Sequence, residues 1–584
     1  MSRTLMSGNE AVARGAWEAG VAVGVGYPGT PSTEVLQNLV RYDDVRCEWA
    51  PNEKVAAEVA AGVSLGGSRV LVTMKHVGLN VAADLLFTFA YTGVGGGCVF
   101  FVADDPGMHS SQNEQDTRNY AAFARVPLLE PSNSQEALEF TRAAFALSEE
   151  FDTPVIVRST TRVSHSKGLV ETGSREAPPH PPAYARDVGK WVMMPGSARA
   201  RRVLLEERLA RLSAYSNSCP FNRMDIRDTS LGIITSSVSG AYVAEALPEA
   251  SVLTLGMAFP IPEDLIRDFA AKVERLAVIE EIDLYLTRAV RALGIEIMET
   301  GLPTYGELSA DRIAAAFGAR ARETREPISD LPPRPPLLCA GCPHRGVFWA
   351  LGKLRAVVMG DIGCYTLAAL PPLSAMDSCV CMGASVGMAH GLALTGNAER
   401  PVVGVIGDST FAHSGITGLL HMVYNGGNGT IVILDNRTTA MTGHQGNPVS
   451  GWRLSGDLGP QLDLEVLCTA LGVSSVRTVD PHDLAGTLQA LSEEVETDHL
   501  SVIIAKAPCA LLVKEHEGVY AVDEDLCTAC AACIRLGCPA IMKLPSGRAV
   551  IDISLCVGCS QCVQVCRYDA IQPAGAACDF GGAL

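Results

Sequence analysis

At 584 residues the chain is too long for one hydrophobic core, and about 150 residues per domain gives roughly four domains. Hydrophobic residues make up 48% and charged residues 19%, so there is ample apolar surface to bury and extended disorder is excluded. The formal net charge of -18, with no basic run anywhere, opposes nucleic acid or an anionic membrane as partner.

The opening MSRTLMSGNEAVARGAWEAG lacks the apolar core of a signal peptide, and no stretch reaches the roughly 18 apolar residues of a membrane span. A cytoplasmic location is the expectation. From there to about Thr161, short runs rich in β-branched residues (VAVGVGYP, RVLVTM, CVFFVA, PVIVRST) alternate with alanine-rich helical stretches, one starting near Asn52. This reads as a parallel α/β layer. Pro178, Pro179, Pro181 and Pro182, followed by the basic RARRVLLEERLARL, read as a connector carrying a solvated helix. From Leu231, LGIITSS, SVLTLGM and RLAVIEE suggest a second, smaller α/β unit ending near Phe317. The prolines of PISDLPPRPP can continue neither a helix nor a central strand and mark a boundary. A third α/β unit follows, with strands at AVVMGD, PVVGVIGD, TIVILDN and LSVIIAKAP, and a cysteine-rich segment begins near Gly518.

That last segment holds the one clear internal repeat. Cys527, Cys530 and Cys533 follow C-x2-C-x2-C, with Cys538 after four more residues; Cys556, Cys559 and Cys562 repeat the pattern, with Cys566 after three. The pattern resembles bacterial two-cluster ferredoxins, in which the fourth cysteine of each run reaches the other cluster. On it, Cys527, Cys530, Cys533 and Cys566 hold one [4Fe-4S] cluster, and Cys556, Cys559, Cys562 and Cys538 the other. The first run has an extra residue before its fourth cysteine, and Arg567 stands where the family has a second proline. Paired zinc knuckles also use C-x-x-C, but two interlocked groups of four favour cubanes and a redox function.

In the third unit, VVGVIGDST and TIVILDN each place polar residues just after an apolar strand, where ligands of open α/β sheets collect. Asp408 and Asn436 offer hard oxygens to a magnesium ion that bridges to phosphate, and Gly407 allows close backbone approach. The pair resembles the thiamine diphosphate motif, with Ser409 at its third position and a single asparagine. The resemblance implies that the carbonyl of Thr438 completes the metal shell. The glycine-rich DSCVCMGASVGMAHG, through Gly383, brings a helix N-terminus to the diphosphate or else serves close helix packing. In the first domain, NEKVAAEVAAG resembles the signature of the glutamate that protonates the aminopyrimidine ring, which maps to Glu53. Asn52 also reads as an N-cap, with Glu53 complementing the helix dipole.

Taken in order, GYPGTPSTE, NEKVAAEVAAG, the Cys339/Cys342 pair, GDIGC, the thiamine motif, APC and the two-cluster tail resemble the 2-oxoacid:ferredoxin oxidoreductases over nearly the whole chain. CAGCPHR, DDPGMHSSQNEQDTRNYA and LDNRTTAMTGHQ look like the alpha subunit of the indolepyruvate type. The resemblance implies a third [4Fe-4S] cluster on Cys339, Cys342, Cys364 and Cys509, and contact of Thr30 with the substrate carboxylate. It extends to His109 and Arg118 as pocket-lining residues, although an ordinary polar loop explains them equally.

The implied fold class is multi-domain α/β. A pyrimidine-binding-type domain spans 1–175, a linker 176–230, and a transketolase C-terminal-like domain 231–325. A diphosphate-binding-type domain with the proximal cluster spans 326–517, and a ferredoxin-like domain 518–584. The implied reaction is oxidative decarboxylation of an aryl 2-oxoacid with coenzyme A as cosubstrate. Its partners are a smaller beta subunit in a heterotetramer-like assembly and an external ferredoxin. Another 2-oxoacid, a non-oxidative thiamine enzyme and a non-catalytic electron-transfer subunit are the rival readings.

Overall fold

The runs Val70–Lys75 and Cys98–Asp104 are buried at every position, as strands covered on both faces by helices must be. They are the centre of a seven-stranded sheet in a computed structural model that describes residues 2–177, 184, 186–319, 328–332, 335–514 and 518–574. Pro178, Pro179, Pro181 and Pro182 lie outside those residues, as do Pro327, Pro333 and Arg334 of the second proline-rich stretch. The chain forms two compact units, Met1–Pro327 and Ile328–Leu584.

In the first unit the strand order is Met257–Phe259, Leu128–Leu129, Val155–Thr160, Cys98–Asp104, Val70–Lys75, Val23–Gly26 and Arg46–Trp49. All neighbours are parallel except the first pair. Val23–Gly26 and Val70–Lys75 are adjacent, so the turns after them, carrying Thr30 and His76, leave the same sheet edge. Arg46–Trp49 carries polar residues, as edge strands do, and its sequence pattern does not announce a strand.

The second sheet of this unit is ordered Leu276–Ile279, Asp228–Ser236, Ala250–Leu255, Asn222–Asp225, with the last strand antiparallel. Asn222–Asp225 falls inside the segment read as linker, so the small α/β layer begins earlier than Leu231. The basic helix of that segment, Pro195–Ser218, is also less solvated than expected. Arg201 and Arg208 are buried and donate to the carbonyls of Ala90, Tyr91 and Thr92, at the end of helix His76–Thr92, and to Asp152. Cations at a helix C-terminus satisfy its orphan carbonyls and complement its dipole.

The second unit is built on a fully parallel five-stranded sheet, ordered Val357–Met359, Val402–Gly407, Gly429–Asp435, Leu500–Lys506, Ser475–Val479. Its cysteine-rich end folds as two short antiparallel ribbons, Tyr520–Val522 with Ile571–Pro573 and Ile541–Lys543 with Ala549–Ile551. The ribbons enclose a small core that includes Cys533, Ile541, Ala549, Ile551 and Ile571. A core this slight needs staples to be stable. No helix among the described residues is long and apolar enough to cross a membrane.

Candidate functional site

Val402–Gly407 and Gly429–Asp435 pair in parallel, so Asp408 and Asn436 leave the sheet side by side. Asp408 is 2% exposed; its Oδ1 accepts from Ser409 N–H at 2.7 Å, while its Oδ2 has no hydrogen-bond partner among the described residues. Burial, with the nearby Asp435 carboxylate, pushes the Asp408 carboxyl up to about 7, against the Ser409 and Arg437 N–H groups and the Asn447 side chain, which favour its charged form. A buried carboxylate oxygen without a well-formed hydrogen bond is costly, and a divalent cation is a group that relieves it. On this ground the donor set fits magnesium. The Asn436 Oδ1 accepts from Thr438 N–H at 3.3 Å, and its Nδ2 lies 3.4 Å from His344 Nε2. Thr439 Oγ1 donates to Ser409 Oγ at 2.9 Å, tying the two turns together. The loop after Asn436 folds back through paired backbone bonds between Thr439 and Gln445, beside a cavity of about 350 Å³ lined by Arg437, Thr438, His444 and Trp452.

Two glycines of the site donate their amides to side chains of the protein. The Gly383 N–H, at the head of helix Ala384–Thr395, donates to Asp361 Oδ1 at 2.9 Å, and Ser385 N–H donates to Asp361 Oδ2 at 3.0 Å. The Gly407 N–H donates to the Tyr365 hydroxyl at 2.9 Å, and the tyrosine ring stands where a Cβ would. Both amides are therefore taken up by the protein in this arrangement.

The cysteines gather into three sets. Cys342 faces Cys339 and Cys364, Cys364 faces Cys509 and Cys339, and these mutual charges oppose ionisation of the buried thiols. Cys509 N–H donates to the Asn436 carbonyl at 3.0 Å. In the tail, Cys527, Cys530, Cys533 and Cys566 line one small cavity. Cys538, Cys556, Cys559 and Cys562 line another. Among the described residues no group of three or more His, Cys, Asp or Glu side chains could hold a single metal ion; these cysteines surround spaces instead. Burial pushes Cys342 and Cys562 up to about 12, so as free thiols they are neutral and metal coordination is what would deprotonate them.

In the first unit Asn52 caps helix Glu53–Leu65 by accepting from Val55 N–H, and Glu53 is buried in its first turn. A Cβ at position 78 would come within 2.5 Å of Glu53 Oε1, so Gly78 is what leaves room for the carboxylate. Lys75 also faces Glu53: burial pulls its ammonium down to about 8 against Asp105 and Glu53, and it donates to Ser110 O at 3.0 Å. The Ser110 hydroxyl in turn donates to the Thr30 carbonyl at 3.2 Å. Arg118 is turned into the protein rather than toward solvent. It is fully buried, ion-paired with Asp116 and Glu280, and bonded to the Glu281 carbonyl. His109 is half-exposed against Glu307.

Residues 14–191 match the family described as pyruvate flavodoxin/ferredoxin oxidoreductase, thiamine diP-binding. Residues 361–505 match the thiamine pyrophosphate enzyme, C-terminal TPP binding domain, and 549–572 the 4Fe-4S binding domain. The indolepyruvate oxidoreductase subunit IorA of Archaeoglobus fulgidus is 42% identical over 92% of this chain and 92% of its own length. This chain belongs to the indolepyruvate oxidoreductase IorA family. The IorA subunit of Thermococcus kodakarensis is 40% identical over 98% of this chain and 97% of its own. A solved 2-oxoglutarate:ferredoxin oxidoreductase from Magnetococcus marinus aligns over 54% of this chain and 65% of its own, at a TM-score of 0.45 and 16% identity, too remote to bear on the site.

The IorA-family chain is thus an oxidoreductase with thiamine diphosphate-binding parallel-sheet domains and a C-terminal 4Fe-4S domain. Its site contains residues that sequence reasoning did not single out. Asp361 stands in GDIGC, Tyr365 directly after it, and Lys75 ends a buried strand, where a charge is conspicuous. Arg345 lies in the quoted CAGCPHR, but nothing local shows that its guanidinium is buried.

Proposed function

We propose that this chain is the catalytic alpha subunit of an arylpyruvate:ferredoxin oxidoreductase. An aryl 2-oxoacid and coenzyme A give the aryl-acetyl-CoA, carbon dioxide, one proton and two electrons delivered singly to ferredoxin. Indolepyruvate is the preferred substrate in this reading, supported by the printed names of relatives 38–42% identical over at least 92% of the chain. A smaller beta subunit completes a heterotetramer-like assembly, and the enzyme works in the cytoplasm.

When bound, thiamine diphosphate supplies the nucleophilic carbon that attacks the ketone and holds the electron pair left by decarboxylation. Asp408, Asn436 and the Thr438 carbonyl would hold magnesium, with Ser409 fixing the turn. Glu53 would serve as the proton donor and acceptor for the cofactor's aminopyrimidine ring, and Thr30 would contact the substrate carboxylate. Gly383 and Gly407 shape the turns around Asp361 and Tyr365. Cys339, Cys342, Cys364 and Cys509 would hold one [4Fe-4S] cluster and the two tail sets one each, groups that supply single-electron transfer when bound.

The observation that carries this reading is the unpartnered Asp408 oxygen on a turn whose neighbour, Asn436, is bonded to Cys509. The test is anaerobic co-purification with the partner subunit and assay across a panel of 2-oxoacids with coenzyme A. Glu53→Gln is expected to lower 2-oxoacid-dependent dye reduction by about 100-fold or more while iron content is unchanged. Undiminished activity would reduce the chain to an electron-transfer subunit.

A further inference from the structure

Arg345 sits in the first turn of helix His344–Leu354 and is 2% exposed. Its guanidinium donates to Leu536 O at 2.7 Å, Leu338 O at 3.0 Å and Cys339 O at 2.8 Å. It also lines the cavity of Cys538, Cys556, Cys559 and Cys562. Two equally buried arginines, Arg118 and Arg158, are matched by carboxylates. Among the described residues Arg345 is matched by carbonyls alone. An arginine keeps its charge at any accessible pH, and a buried charge needs an opposite one nearby.

The candidates are the two cysteine sets that Arg345 adjoins: it is bonded to the Cys339 carbonyl at 2.8 Å, and it borders the space lined by Cys538, Cys556, Cys559 and Cys562. The two cysteine loops are in contact as well. Gly341, in the Cys339–Cys342 turn, has φ +67, and a Cβ there would stand 2.1 Å from Val557 Cγ2, between Cys556 and Cys559. Gln561 Nε2 donates to the Cys342 carbonyl at 3.4 Å. Among the described residues of the remaining set, Arg535 donates to the Cys530 carbonyl and Arg567 follows Cys566, and both are exposed, where solvent screens their charge.

We propose that Arg345 is the shared counter-charge of two clusters, raising the reduction potentials of both the Cys339/Cys342/Cys364/Cys509 cluster and the Cys538/Cys556/Cys559/Cys562 cluster. Four thiolates leave a cubane net negative, and each added electron deepens that charge, so a fixed cation beside it favours the reduced form. The step served is transfer of one electron from the first cluster, which is oxidised, to the second, which is reduced; no bond or proton moves. By acting on both, Arg345 raises donor and acceptor together. The inference rests on the three-cluster reading above.

The test is potentiometric titration of the anaerobic full complex, followed by electron paramagnetic resonance of each cluster. Arg345→Met is expected to shift the reduction equilibrium of the two flanking clusters about tenfold or more toward the oxidised form, a fall of about 59 mV, with the third unmoved. Arg345→Lys, which keeps the charge, is expected to restore most of that fall. Unmoved potentials in the methionine variant, or a uniform shift of all three clusters, would overturn the proposal. So would a lysine variant that retains its iron but shifts as far as methionine. Loss of iron from the flanking sets in both variants would also overturn it, since Arg345 would then be a structural strut. If the wild-type complex itself holds far fewer than about twelve irons, the three-cluster reading fails instead.

Discussion

The backbone N–H of Cys509 donates to the carbonyl of Asn436 at 3.0 Å, joining a residue of the four-cysteine set to a residue of the proposed magnesium turn. The bond continues the parallel ladder between Gly429–Asp435 and Leu500–Lys506, whose last pair is Asp435 with Lys506. Sheet pairing thus holds the proposed magnesium turn and the Cys509 turn at neighbouring strand ends, through rigid backbone.

Asp408→Asn separates stability from cofactor binding. The buried carboxylate has one unpartnered oxygen and a like charge nearby, so a neutral amide is expected to stabilise the cofactor-free chain by about 1–3 kcal/mol. Magnesium and thiamine diphosphate are expected to raise the melting temperature of the wild type and not of the variant. Equal cofactor-induced shifts in thermal melts would remove Asp408 from the metal shell.

Gly341→Ala adds a methyl group at φ +67, with the new Cβ 2.1 Å from Val557 Cγ2. The loop must move away from Cys556 and Cys559, at an expected cost of about 1–3 kcal/mol. Iron analysis and visible absorbance are expected to show loss from the Cys339 and Cys556 sets, while the Cys527 set keeps its signal. Full iron in the variant would count against contact between these loops.

Glu281 gives a pH dependence of known sign. Burial, helped by Glu307, raises its carboxyl from 4.5 to about 7, although Oε1 accepts from Leu308 N–H at 2.9 Å. Between those values the folded chain keeps a proton that the unfolded chain has released, so stability falls as pH rises from about 4.5 to about 7 and then levels off. Glu281→Gln keeps the acceptor and removes the charge. Its melting temperature is expected to exceed that of the wild type at pH 8 by an amount corresponding to about 1–3 kcal/mol and to match it near pH 4.5. A constant difference across that range would assign the effect to packing.

Arg118→Met tests the place of an arginine that sequence similarity directs to the substrate pocket. The side chain is 1% exposed and holds Asp116 and Glu280; removing it takes the nearest cation from two buried carboxylates, leaving Asp116 with Arg158 at 3.8 Å and Glu280 with the Leu286 and Thr287 N–H groups, at an expected cost of about 3–5 kcal/mol. At temperatures where the variant stays folded, the KM for the 2-oxoacid is expected to be unchanged. A KM raised tenfold or more with intact stability would return Arg118 to the pocket.

Legibility in the sequence followed the range of the interactions involved. Cys527 to Cys566 announce themselves because ligands within one short repeat are related by spacing along the chain. Val70–Lys75 and Gly429–Asp435 do so because a strand buried on both faces must be apolar throughout. Arg46–Trp49 and Ser475–Val479 lack that pattern, since both lie at sheet edges and keep polar side chains. The same limit explains the basic helix Pro195–Ser218. Nothing local shows that Arg201 and Arg208 meet the carbonyls of Ala90, Tyr91 and Thr92.

The sequence by itself determined the parallel α/β layers, the cysteine repeat and the family, because period, spacing and motif are properties of contiguous residues. Tertiary structure alone decided that Arg118 is neutralised by Asp116 and Glu280 while Arg345 faces thiols, and that the Gly383 amide goes to Asp361. Burial and charge balance are set by segments that meet only after folding; Arg345 and Leu536 are 191 positions apart and 2.7 Å from each other.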